Sequence, residues 1–100
     1  MAKFDIYGSP SSSVPYLMDL QDEIIDILST RVVAPLVAVE EVSKRMKILN
    51  PVIRIEGVDY ILMTHLLAAI PASTLKNKIN SAVLQRDEII ASLDFLFTGV

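Results

Sequence analysis

The 100-residue chain contains no cysteine and no tryptophan, one histidine and three glycines. Without cysteine there is no disulfide framework and no thiolate nucleophile, and a single histidine cannot complete a Cys/His zinc site. Gly8, Gly57 and Gly99 stand too far apart to build a phosphate-cradling loop. Positive charge is also scarce. Nine Lys and Arg against twelve Asp and Glu give a formal net charge of −3 and a sequence pI of about 4.9. No basic field draws phosphate backbones, so direct binding of nucleic acid is not expected. A membrane-spanning run of about 18 apolar residues is missing too. The richest stretch, Ile61 to Ala72, is cut by Thr64, His65 and Pro71, and Val32 to Val39 contains Pro35. Asp5 falls where a secretory signal would be apolar. These features predict a cytoplasmic protein with no membrane partner.

What the chain does have is apolar residues, 52% of the total against 21% charged, with a mean hydropathy of +0.49. That excludes intrinsic disorder, and the length supports one domain over 1–100 with one core. Surplus apolar surface on a single small domain points to a subunit interface or a partner site, so at least a homodimer is expected.

Periodicity supplies the elements. Phe4 and Ile6 alternate with Lys3, Asp5 and Tyr7 as in a half-buried strand, and residues 8–15, with two prolines and a serine cluster, read as a loop. Tyr16, Met18 and Leu20 alternate with Leu17, Asp19 and Gln21 in a second strand, a plausible hairpin partner of the first. Arg31 to Val37 is strand-like, but Pro35 lacks an N–H, which places that strand at an edge or a bulge. Val39 to Leu49 reads as a short helix or charged loop. Pro51–Ile55 and Asp59–Thr64 flank Glu56-Gly57-Val58 as a hairpin. From Arg86 the period becomes helical, with Ile89, Ile90, Leu93, Leu96 and Phe97 on one face and Asp87, Glu88, Ala91, Ser92 and Phe95 away from it. Asp87 and Glu88 suit a first helical turn. The class is α+β or mostly β, with an antiparallel sheet.

Candidate chemistry is thin. Asp19, Asp22, Glu23 and Asp26 match no calcium-loop spacing and read as a solvated acidic surface. His65 has no Ser or Cys nucleophile signature near it and reads as structural or exposed. Arg31 and Arg54, each inside an apolar strand, read as ion-paired or surface side chains ahead of anion recognition. No catalytic group, cofactor or metal is expected. The apolar carboxyl end, Phe95-Leu96-Phe97-Thr98-Gly99-Val100, is the best candidate for function, because aromatic anchors dominate interface energetics.

Met18-Asp19-Leu20-Gln21, Ile24-Ile25-Asp26, Arg31 with Pro35-Leu36, Pro51-Val52, Met63-Thr64, Ile70-Pro71 with Ser73, and Phe97-x-Gly99-Val100 occur in this order. In these the chain resembles the CcdB family, over nearly its whole length. The resemblance implies a mostly β (α+β) fold: an SH3-like barrel of antiparallel strands with a small extra sheet and a C-terminal helix, dimerised with the helices near the two-fold axis. It implies a toxin that catalyses nothing, but binds the DNA gyrase A subunit and traps the cleaved complex. Its other partner would be a CcdA-like antitoxin that displaces it from gyrase and joins it in repressing their operon, so DNA is met only indirectly.

Carried over by position, the gyrase-binding residues are Ile24, Ile25, Asp94, Phe97, Thr98, Gly99 and Val100. Thr98 stands where the family pattern has a tryptophan, and Asp94 where it has an asparagine. The alternatives are a non-toxic chromosomal relative that keeps dimerisation and antitoxin binding, and a ribonuclease toxin like MazF and Kid, which share the barrel.

Overall fold

The computed structural model describes residues 2–22 and 28–99. Within them the chain forms strands β1 (Asp5–Gly8), β2 (Tyr16–Asp19), β3 (Thr30–Ala38), β4 (Val52–Ile55), β5 (Val58–Leu62), β6 (Ala68–Pro71) and β7 (Lys78–Ser81), then helix α1 (Arg86–Thr98). The strands make one antiparallel sheet in the order β4-β5-β3-β2-β1-β7, with β6 also paired to β3. The sheet curls into a half-barrel beside the helix, which is the mostly β α+β class that the sequence implies.

β1 and β2 form the expected hairpin, with Ile6 opposite Met18. The β4–β5 hairpin also forms. Its turn residues, Glu56 at φ 52° and Gly57 at φ 80°, both lie in the left-handed region that a tight two-residue connection needs.

β3 departs from expectation. It lies in the middle of the sheet rather than at an edge, pairing β2 on one flank and both β6 and β5 on the other. Pro35 is tolerated because β6 reaches only to Val33 and β5 begins only at Leu36. The Pro35 carbonyl accepts the Met63 N–H at 2.9 Å on that flank. Its missing N–H faces the same flank, at the seam where the partner strand changes.

Alternation in the first two strands is also incomplete. Asp5 and Tyr7 are buried along with Phe4 and Ile6, and Asp19 is buried along with Met18 and Leu20. Both sheet faces are covered there. The main core gathers Phe4, Ile6, Met18, Leu36, Ile53, Ile55, Leu62 and Ile89, while Tyr7, Val33 and Leu75 form a second cluster with Leu17 and Ile70 beside them. β7 was not legible at all: in Lys78-Ile79-Asn80-Ser81 the one apolar side chain, Ile79, is exposed.

Helix α1 begins near the expected residue, but its buried line differs. Ile89 and Ser92 face the core, Ile90 and Leu93 pack beside them, Phe95 is half-buried and Phe97 is exposed. Ser92 is accommodated because its hydroxyl donates to the Ile89 carbonyl at 2.7 Å and shares a 3.2 Å bond with the buried Thr64 hydroxyl. At the other end, the Gln85 carboxamide donates to the Val52 carbonyl at 2.7 Å and accepts the Arg54 N–H at 3.3 Å. One side chain thus ties the start of α1 to the free edge of β4 and satisfies backbone groups that the ladder leaves open.

Candidate functional site

The acidic residues from the end of β2 onward are not one solvated surface. Asp19 is fully buried and Asp22 is exposed; Glu23 and Asp26 lie outside the described residues. Arg31, also buried, brings Nη2 to 2.7 Å and Nε to 2.9 Å from Asp19 Oδ2. The arginine belongs to an ion pair, as its sequence context favoured. Its Nη2 also donates to the Gln21 carbonyl at 2.7 Å, while Asp19 Oδ1 accepts the Gln21 N–H at 3.0 Å. Past the end of the β2 ladder, Gln21 Oε1 accepts the Val32 N–H at 2.8 Å, so a side chain supplies the next rung as the main chain leaves the sheet. The cluster holds the departure and return of the segment that carries Ile24 and Ile25, two expected site residues outside the described ones.

At the end of α1, Asp94, Phe97 and Thr98 stand at i, i+3 and i+4, close together on one flank of the helix. All three are exposed, and Phe97 retains 71% of its accessible surface. Thr98 Oγ1 donates to the Asp94 carbonyl at 2.6 Å. Gly99 ends the helix at φ 76°, with its N–H donating to the Phe95 carbonyl at 2.9 Å, a conformation that favours glycine. Val100, also expected in the site, lies outside the described residues. The tip therefore presents an aromatic ring, a carboxylate and a hydroxyl on a rigid support, which suits docking rather than bond-breaking.

The remaining candidates sit apart. Exposed His65 has Nδ1 at 3.2 Å from Nδ2 of the buried Asn50, and exposed Arg54 pairs with Asp59 at 3.1 Å. Among the described residues no three metal-ligating side chains converge. Tyr16 and Tyr60 meet edge to face with ring centroids 5.2 Å apart. Burial raises the Tyr16 phenol above the ordinary tyrosine range, with Tyr60 and Glu56 adding to it.

Sequence reasoning missed a groove of about 340 Å³ between the 45–52 segment and the outer side of α1, lined by Arg45, Lys47, Ile48, Pro51, Val52, Glu88 and Ala91. The available signal is Lys44-Arg45-Met46-Lys47-Ile48, where basic residues are interleaved with apolar ones in a segment whose sequence suits a short helix or charged loop.

The protein-family model described as CcdB protein matches residues 3–99. No curated protein sequence matches the chain. A solved structure described as "Endoribonuclease in complex with its cognate antitoxin from Mycobacterial species" superposes with a TM-score of 0.78 at 7% identity, over 97% of this chain and 94% of that one. At that identity the likeness is one of fold.

Proposed function

The chain belongs to the CcdB family of toxins from toxin–antitoxin systems, and we propose that it poisons DNA gyrase by docking the tip of α1 on the gyrase A subunit and holding the enzyme on cleaved DNA. The observation that carries this reading is Phe97, a large aromatic left 71% exposed at the capped end of a helix. A ring in that position contributes little to folding and supports a reading as an anchor for another protein. Asp94, Thr98 and Gly99 surround it, and Ile24, Ile25 and Val100 complete the proposed contact set.

The toxin acts as a homodimer. Val83 at 53% and Leu84 at 97% exposure, just before α1, add apolar surface that a second subunit would cover. A CcdA-like antitoxin neutralises it, and DNA is met only through that complex. The protein works in the cytoplasm, where gyrase is found. This mode of action asks no catalysis of the chain; His65 faces an amide, and the Arg31–Asp19 pair is closed to solvent.

Thr98 sets the strength of the interaction. Where the family pattern supplies a stacking tryptophan, a small hydroxyl costs about 2 kcal/mol of binding, roughly a 30-fold loss. A chain that still dimerises and binds antitoxin without poisoning gyrase is the limit of that weakening. The ribonuclease reading rests on the fold shared with the endoribonuclease. Calorimetric titration of the gyrase A subunit with this protein tests the proposal: saturable binding that Phe97→Ala removes supports it. No binding, together with cleavage of a mixed RNA, would replace it with the ribonuclease reading.

A further inference from the structure

A depression of about 240 Å³ lies between the loop that follows β1 and the segment that leads into β7, lined by Gly8, Ser9, Pro10, Thr74, Lys76 and Asn77. No carboxylate lines it, although acidic side chains outnumber basic ones in the chain. Its two walls are tied together: the Gly8 N–H donates to the Asn77 carbonyl at 3.3 Å, and the Ser9 N–H closes the loop on the Pro15 carbonyl at 3.1 Å. The polar side chains of the pocket are left unused. Ser9 Oγ accepts the Ser11 N–H at 3.1 Å, which leaves its own hydroxyl hydrogen to donate. The half-buried Thr74 hydroxyl, the Asn77 carboxamide and the Lys76 ammonium have no side-chain hydrogen bond or ion pair with any described residue. Lys78, two residues further on, is instead held by Asp5 at 3.3 Å.

We propose that this pocket binds the phosphoryl group of a small phosphate monoester, with Lys76 as its cation and Ser9, Thr74 and Asn77 as neutral donors. One ammonium and three further donors with no acid among them favour an anion, since each can make a charge-assisted hydrogen bond to it. The donors come from both walls, which suits oxygens that diverge in three dimensions better than the two coplanar oxygens of a carboxylate. Pro10 supplies an apolar wall beside which the esterified carbon can lie. A single unpaired cation in a chain of net charge −3 suits a small ligand and not a long polyanion, which needs a run of cations along its backbone. The proposal does not depend on gyrase as the target.

The probe is glycerol 3-phosphate, titrated into the 15N-labelled protein at constant ionic strength and followed by amide chemical shifts. Saturable shifts confined to Ser9, Thr74, Lys76, Asn77 and their neighbours are expected. Acetate added to the same ionic strength gives no saturable shift. Lys76→Ala, a change at an exposed side chain, weakens binding by about tenfold, and Ser9→Ala weakens it several-fold. Lys47→Ala, at the separate groove beside α1, leaves it unchanged. Spectra of the free variants that match the parent away from the pocket show that the fold is kept.

Shifts that grow linearly without saturating, equal saturation by acetate, or indifference to Lys76→Ala overturn the proposal. Inorganic phosphate that binds more tightly than the ester removes the ester from it and counts against it equally. So does a single-stranded RNA lacking a terminal phosphate that binds more tightly at the same residues, because the pocket would then be a stop on a nucleic-acid track.

Discussion

Arg31 Nη2 and Asp19 Oδ2 meet at 2.7 Å with the side chains only 1% and 0% exposed. A buried pair of this kind adds little net stability, because desolvating both charges offsets their attraction. Losing one partner is another matter. Together with Gln21 the pair spans the gap where β2 ends and β3 begins, so it defines how the intervening segment leaves the sheet.

Arg31→Met is accordingly expected to destabilise the protein by about 3–5 kcal/mol, since the Asp19 carboxylate stays buried without its cation. Asp19→Asn alone is costly for the converse reason, and the double variant costs clearly less than the sum. Urea unfolding of the four proteins measures the coupling. Strict additivity would mean that the two side chains do not act as a pair.

At the helix tip, stability and binding should separate. Phe97→Ala changes folding stability by less than about 0.5 kcal/mol, because the ring is largely exposed. Its effect on gyrase binding is a loss of roughly 30-fold or more. Thr98→Trp works in the opposite direction and tightens binding. Thermal melts and calorimetric titration of the same samples distinguish the two effects.

Gln85→Ala releases the Val52 carbonyl and the Arg54 N–H at the sheet edge. A loss of about 1 kcal/mol is expected, with increased self-association at high protein concentration as an unpaired edge becomes available. Light scattering and urea unfolding report the two consequences.

Alkaline stability reports on Tyr16. Its phenol is raised in the folded state, chiefly by burial, so the folded protein favours the neutral form. That contribution is complete below about pH 10 and disappears as the pH rises through the folded value. Tyr16→Phe, which cannot ionise, flattens the decline on the alkaline side. An identical decline in the variant would assign it to other groups.

How far the sequence could be read depended on whether one local rule governed each element. The β4–β5 hairpin and the start of α1 were legible because glycine at the turn and acidic residues in the first turn act through neighbouring atoms. Pro35 misled, since its tolerance is set by where two other strands stop. The sequence alone reads Asp19 as solvated and Ser92 as off the apolar helix face, because their partners, Arg31 and Thr64, lie 12 and 28 residues away. The tip residues from Asp94 to Gly99 were identified through the family resemblance, while helical periodicity placed Phe97 on the buried side. The groove at Arg45 went unread because its floor is assembled from the 45–52 segment and a helix some forty residues later.

Gyrase poisoning is tested most directly by incubating the purified protein with gyrase, ATP and supercoiled plasmid, then adding detergent and resolving the DNA. Linear plasmid that depends on the protein, and that disappears with Phe97→Ala, is the predicted result. Plasmid that stays free of double-strand breaks with every bacterial gyrase offered would contradict it.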